Sequence, residues 1–415
     1  MELRGYGKLF ESMKQLNIII LSYYYPPINA VGSKRVFHLS RELKKLGHQL
    51  KVICGDPGYK HTEEGDSEFE VQRCLARPQN GPFYELRKRL APKGFLDLQY
   101  LHFEPSFDAD LIFASAPPWN MLFNAIELKE RFFPKASLVY DYRDLWNDPS
   151  GEHTLKSLSQ PDNLKGRFYS ALDRFWEHYL LKKANGVVSV SKPLIKELKI
   201  LGPERLKYKV ITNGFKALKE NPIKGNSDVF TITFTGVLRS EQFFEEFNRG
   251  FLDFLDCEAV DQKLVRLKLV GPGDKGDPSL VERISSGIPS ENMEVLTYQP
   301  QDKVEKIQSK SEVLLQFGFK GKKGIMSAKI FEYAASRKAI LLVSREADVM
   351  EKFLKESGAG EIAENPLEVR DLLLKYYQNW KNGIQNTEPN KEFLGQYQYE
   401  HLASTLSDYF IALTK

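Results

Sequence analysis

Apolar positions fall in short runs separated by longer amphipathic stretches. "NIIILS" (17–22) is apolar almost throughout, which predicts a strand buried on both faces. Helical spacing then takes over in "SKRVFHLSRELKKL" (33–46), with Gly47 as its stop, before "HQLKVICG" (48–55) returns to a strand pattern. "DLIFASAPP" (110–118), "SLVYDYRDLW" (137–146) and "GVVSVS" (186–191) repeat the strand signal, with helix-like stretches between them. A second series opens at "FTITFTG" (230–236) and continues through "LVRLKLVGPG" (264–273), "MEVLTY" (293–298), "SEVLLQFG" (311–318) and "KAILLVS" (338–344). Such alternation predicts parallel sheets covered by helices on both faces, so an α/β chain of two doubly wound domains. The polar stretch 213–228, with Gly and Pro, reads as a linker. Domains are therefore expected over 1–215 and 226–395. In the last helix Leu402, Leu406, Tyr409, Phe410 and Leu413 share one face.

Composition narrows the class without naming a ligand. The 415 residues are 42% hydrophobic and 27% charged, as in ordinary soluble proteins. A net charge of +4 tolerates a phosphate-bearing ligand or an anionic membrane surface, and is too balanced to point to nucleic acid. Cys54, Cys74 and Cys257 make neither a disulfide framework nor a zinc spacing, which fits a reducing cytoplasmic compartment. "LNIIILSYYY" is too short to span a bilayer, and residues 1–15 lack the apolar core of a signal peptide. Residues 1–12 read as a poorly ordered extension or a misplaced start.

In doubly wound sheets ligands bind beyond the carboxyl ends of the strands, so candidate residues are those that follow strands. After "SEVLLQFG" comes a basic loop with Lys320, Lys322 and Lys323, then Ser327 as a helix N-cap. Free N–H groups and the helix dipole at such a start attract an anion. One turn in, Glu332 stands at the edge of the arc formed by Ala328, Ile330, Phe331, Ala334 and Ala335. A carboxylate there suits the two hydroxyls of a ribose; the alternative is a boundary glutamate beside a solvated Lys329. After "NIIILS", Gly32 permits close approach of backbone to a ligand and Arg35 lies on the first turn of the next helix, or these form a tight turn and a surface arginine. No G-x-G-x-x-G is present. The strand end "VYDYRDLWND" gathers Asp141, Arg143, Asp144, Trp146 and Asp148, suited to sugar hydroxyls or to steering a proton, or else to a structural ion pair beside a core Trp. "FDAD" (107–110) has the form of a metal-binding D-x-D but precedes its strand, at the wrong end of the sheet.

"PPINAVGSKRVFHLSRELKKLGH", "VYDYRDLW", "ANGVVSVSKPLIKEL", "VITNGF", "VGPGD" and "SAKIFEYAASRKAILL" follow one another in that order. Together they resemble bacterial glycosyltransferases of the GT-B fold and the large family-four type, over nearly the whole chain from about residue 15. The resemblance implies two Rossmann-like domains facing a cleft, with residues 396–415 packing back on the first. It implies transfer from a nucleotide-sugar, UDP- or GDP-linked, with retention of configuration, no metal and no further cofactor. On that basis Glu332 binds the donor ribose, Gly324 through Ser327 and Lys329 seat the diphosphate, and Tyr298 and Gln299 meet the base. Gly32 and Arg35 approach the donor phosphates and sugar. Arg35, Lys329 and Asp144 are the candidate catalytic residues, and Asp141 and Trp146 the acceptor side.

The chain departs from that pattern at two places. Relatives often carry a first glutamate where Gly324 stands, and an Arg and a Lys where Val237 and Gln242 follow Gly236. Arg239 is the nearest cation, and Lys329 is a replacement for the missing Lys. No strong base is expected, since in retaining enzymes of this fold the leaving phosphate takes the acceptor proton, and His38, His48, His61, His102, His153, His178 and His401 are dispersed. The acceptor side offers "FYELRKRLAPKGF" (83–95) and "GRFYSALDRFWEHYLLKK" (166–183), where basic residues stand beside aromatics. These suit a peripheral contact with an anionic membrane and a lipid-linked acceptor, or are solvated faces over a core. The expected role is surface-polysaccharide or glycoconjugate assembly. The alternatives are a nucleotide-sugar epimerase of the same fold, or a degenerate binding protein.

Overall fold

A computed structural model describes residues 14–28, 30–56, 58, 68–78, 84–146, 164–218, 228–273, 276–346 and 348–414. The sequence readings on residues 1–12, His61, Phe83, Asp148 and His153 lie outside them. The chain divides into two compact units, Met1–Lys216 with Tyr399–Lys415, and Ala217–Gln398.

The first unit runs β1 (Asn17–Ser22), α1 (Val31–Lys45), β2 (Gln49–Gly55), β3 (Glu70–Cys74), α2 (Tyr84–Leu90), β4 (Leu111–Ala116), α3 (Met121–Arg131), β5 (Ser137–Tyr142), α4 (Leu164–Lys183), β6 (Gly186–Ser189), α5 (Lys192–Leu201) and β7 (Lys207–Val210). Its strands pair in parallel in the order β3-β2-β1-β4-β5-β6-β7. The apolar run of β1 is explained by alternation. Ile19 and Leu21 enter a core with Met121, Leu122 and Leu180, while Ile18 and Ile20 enter a second one on the other face. That second core is completed by Val36, Leu39 and Leu43 of α1 and by Leu402, Leu406 and Phe410 near the end of the chain.

The second unit runs β8 (Phe230–Thr235), α6 (Phe244–Leu255), β9 (Val265–Val270), α7 (Ser279–Ser285), β10 (Met293–Leu296), α8 (Gln301–Ser309), β11 (Val313–Phe317), α9 (Ala328–Ala335), β12 (Ala339–Val343), α10 (Asp348–Ser357), β13 (Gly360–Ala363), α11 (Pro366–Lys381) and α12 (Lys391–Gly395). The sheet is parallel, in the order β10-β9-β8-β11-β12-β13. Helix α13 (Tyr399–Leu413) belongs to the first unit, where His48 Nε2 lies 2.7 Å from Ser407 Oγ and Tyr409 Oη donates to Lys207 O. Of the linker stretch, Phe215 is already packed in the first unit, its carbonyl accepting the Tyr399 N–H at 3.0 Å.

In both sheets the strand order reverses beside the first strand of the unit, between β1 and β4 and between β8 and β11. These are switch points, where the loops leaving adjacent strands diverge and open a crevice. The D-x-D reading fails on the same topology: the Asp110 carboxylate accepts the Asn17 N–H at 2.8 Å, at the amino end of β1.

Candidate functional site

Alternation in β8 builds the second-unit site. Phe230, Ile232 and Phe234 pack under Phe244, Phe247, Phe251 and Phe254 of α6. Thr231, Thr233 and Thr235 fall on the opposite side of the strand, and two of them join a buried polar network. Thr233 Oγ1 accepts from Ser311 Oγ at 2.7 Å. Thr235 Oγ1 lies 2.9 Å from Tyr333 Oη and accepts from Gln308 Nε2 at 3.3 Å, while the Thr235 N–H donates to Tyr333 Oη at 3.1 Å. Tyr333 is fully buried, and its phenol is pushed up to about 12, by burial first. The end of β8 is thereby fixed from behind.

Lys329, on the first turn of α9, closes over this strand end. Its Nζ donates to Thr235 O at 2.8 Å and lies 4.5 Å from the centre of the Phe234 ring. Gly236 makes room: its φ is 106°, and a Cβ there would lie 2.8 Å from Lys329 Nζ. Among the described residues Thr235 O is the hydrogen-bond acceptor of this ammonium, so two of its three N–H donors are left for a ligand. Burial pulls the ammonium down to about 8, against the field of the Glu332 carboxylate and with that of Arg239. Glu332 is half-buried at the edge of the α9 core face, as the wheel predicts.

Other positions of the second unit are less like their expectations. Ser327 precedes α9 but its side chain makes no cap; its Oγ reaches toward Gln316 Oε1 at 3.5 Å, so the first N–H groups of the helix carry no serine oxygen. Lys320 is held by α6, 2.6 Å from Glu245 Oε2, which removes one cation from the basic loop. Arg239 is exposed, and its N–H is capped at 3.0 Å by the Oε1 of Gln242, a buried residue whose backbone forms an isolated antiparallel bridge with Phe319. Tyr298 is 52% exposed just beyond β10, with Gln299 half-buried beside it. Gly324 is buried at a φ of 72°.

The first unit corrects three expectations. Arg35 is not on a ligand-facing surface: Arg35 and Asp141 are both 0% exposed and joined by two bonds, Nη2 to Oδ1 at 2.8 Å and Nε to Oδ2 at 3.1 Å. Two further bonds run from Nη2 to Ile211 O at 2.8 Å and from Nη1 to Thr212 O at 2.5 Å. Asp141, placed on the acceptor side by the sequence, also accepts from Ser115 Oγ at 2.9 Å, so three hydrogen bonds hold it within the core. Gly32 gives room to Arg143 rather than to a ligand, since a Cβ there would overlap the Arg143 guanidinium. Arg143 donates to Ser115 Oγ and Pro117 O, and burial lowers its pKa despite Asp141 and Asp144. What stays accessible at this strand end is Asp144, which is exposed, and Trp146, half-buried and stacked on Trp119 at 6.2 Å with 5° between the planes.

Two participants escaped the sequence reading. Tyr333 follows Lys329 by four residues and Thr235 precedes Gly236. The available signal was a phenol at helical spacing on an otherwise apolar face, opposite a strand whose alternate positions are all threonine.

Residues 32–214 match the family model described as a glycosyl transferase 4-like domain. No curated protein matches the sequence. Solved structures match over nearly the whole chain. Sucrose-phosphate synthase from Thermosynechococcus elongatus is 13% identical, with a TM-score of 0.64 over 96% of this chain and 99% of that one. The Anabaena protein HepE, solved with UDP and glucose, is 12% identical, with a TM-score of 0.62 over 95% and 99%. WaaG, a glycosyltransferase involved in lipopolysaccharide biosynthesis, is 12% identical, with a TM-score of 0.55 over 95% and 99%.

Proposed function

We propose that this chain, whose residues 32–214 match a glycosyl transferase 4-like domain and whose fold is GT-B, is a glycosyltransferase, and we propose a donor, an acceptor side and a place of action for it. Its donor is a nucleotide-sugar, bound at the β8–β11 switch point of the second unit. One observation supports this above the others: an ammonium held at a strand end by Thr235 O, above a glycine, with Glu332 one turn along the same helix. Departure of a nucleoside diphosphate builds negative charge on its oxygens. Lys329, Arg239 and the N–H groups at the start of α9 are the groups that meet that charge. Glu332 takes the ribose hydroxyls, and Tyr298 and Gln299 border the base. UDP is the first nucleotide to test because HepE, of the same fold, was solved with it; GDP is the second.

Retention of configuration, independence of metal and the lack of any cofactor beyond the nucleotide-sugar rest on the family resemblance. The acceptor is a glycan or a lipid-linked glycan, and the reaction belongs to surface-polysaccharide or glycoconjugate assembly in the cytoplasm, at the inner face of a membrane. Asp144 beside the stacked Trp119 and Trp146 supports an acceptor sugar, whose hydroxyls suit a carboxylate and whose C–H face suits an indole. Among the described residues no helix is long and apolar enough to cross a membrane, so the contact proposed is peripheral.

Calorimetric titration of UDP and GDP into the wild type and Glu332→Ala tests the donor site. At least a tenfold loss on substitution is expected; binding of neither nucleotide, or a silent substitution, overturns the assignment. Release of nucleoside diphosphate from a panel of nucleotide-sugars then tests turnover. Appearance of a free sugar isomer without acceptor would assign an epimerase instead, and binding without turnover a degenerate protein.

A further inference from the structure

Helix α4 presents a face that the described residues of its own unit leave open. Between 164 and 182 its exposed positions are 164, 167, 168, 171, 174, 175, 178 and 182, which at about 100° per residue lie along one side of the helix. Leu164 is 85% exposed, Phe168 51% and Phe175 58%. Arg167, Arg174 and Lys182 stand among them. Both carboxylates of the helix are turned away: Asp173 lies 3.4 Å from Arg89, and Glu177 is buried. The far side carries α2, with Trp176 Nε1 donating to Arg89 O at 2.6 Å and the Arg89 guanidinium 4.7 Å from the Tyr169 ring.

A solvated helix face ordinarily mixes charges of both signs and keeps large apolar side chains inward. This one does the reverse, with aromatics outward, cations between them and no carboxylate. We propose that it docks on an anionic lipid bilayer. Leu164, Phe168 and Phe175 enter the boundary between headgroups and acyl chains, and Arg167, Arg174 and Lys182 meet lipid phosphates. A bilayer fits better than a protein partner because the face is a single convex helix, without the pockets in which protein hot spots seat their partners. It is also uniform in charge, so nothing on it would set a register. The proposal deepens the reading of a membrane-proximal acceptor and uses none of the donor residues.

The test is co-sedimentation of the full chain with vesicles of phosphatidylcholine alone or mixed with phosphatidylglycerol. Binding to the mixed vesicles only is expected, weakening as salt rises. Phe168→Ala/Phe175→Ala and Arg167→Glu/Arg174→Glu should each lower partitioning by about tenfold or more. UDP titration of the same preparations without vesicles reports folding and the donor site separately, so loss of one binding without the other tells which reading fails. Absence of binding to the mixed vesicles, equal binding of the variants, or variants that instead dissociate a self-associated form of the chain would each overturn the proposal.

Discussion

Arg35 and Lys329 both sit near the start of a helix that follows a switch-point strand, α1 after β1 and α9 after β11. Arg35 is enclosed, with donors on Asp141, Ile211 O and Thr212 O. Lys329 has Thr235 O, a ring face and an ammonium weakened by burial. A fully buried guanidinium with four hydrogen bonds to protein acceptors ties β5 and the segment after β7 to α1; it has no surface to offer a ligand. An ammonium with donors to spare gains by meeting an anion. Position in the fold therefore does not assign the role, whereas the count of acceptors around the cation does.

The largest expected effect breaks the first half of that comparison. Arg35→Leu leaves the Asp141 carboxylate buried without its cation, which should cost about 3–5 kcal/mol of stability. Urea unfolding should show it, and Asp141→Leu should do the same. Arg35→Leu/Asp141→Leu should cost much less than the two single losses together, because neither charge is then stranded. UDP affinity of the folded fraction should change less than about twofold. Normal stability with a large loss of UDP affinity would return Arg35 to the ligand side.

Next comes Lys329→Met, which keeps the length and removes the charge. A charged hydrogen bond to phosphate is worth about 1.5–3 kcal/mol, so UDP should bind roughly ten- to a hundredfold more weakly. Stability should hold or rise, since a partly desolvated ammonium is removed. Unchanged UDP affinity would place the diphosphate elsewhere.

The pH dependence sharpens the same point. With Lys329 pulled down to about 8 in the free protein, UDP affinity should fall as pH rises through that value, and Lys329→Arg should abolish the fall below pH of about 10. Stability runs the other way. Between the folded value near 8 and the ordinary lysine value, the unfolded chain binds more protons, so this group makes stability rise with pH. A UDP affinity flat to pH of about 9.5 would show that Lys329 is not titrating there.

The central strands were legible because burial on both faces leaves an apolar run too short for a helix and bounded by turn residues. The edge strands β3, β7 and β13 were not recognised, since most of their positions are half-buried or exposed and carry residues such as Glu70, Gln72, Lys207 and Lys209. At the site, Glu332 could be placed from the wheel because its neighbours define the core face. The partner of Arg35 could not, because Asp141 is 106 residues away and comes beside it only through the β1-β4-β5 order. Gly32 was readable as a place of close approach, but what approaches is Arg143, and a sequence does not say whether protein or ligand fills such a space.

The smallest effect concerns Gly324, where the family pattern that the sequence resembles has a glutamate. Its φ of 72° lies in the left-handed region, which a residue with a Cβ enters at a cost of about 1 kcal/mol. Gly324→Glu should therefore lower the melting temperature by a few degrees at most and leave the ratio of nucleotide-sugar to UDP affinity within about twofold. The reason is conformational: a glutamate acts in the family pattern only where the backbone carries it toward the sugar, and a backbone shaped around glycine need not present the new carboxylate in the same direction. Gly324→Ala serves as the control, with the same backbone cost and no carboxylate. A tenfold gain in nucleotide-sugar affinity for Gly324→Glu alone would mean that the β11–α9 connection does carry a side chain at 324 toward the sugar.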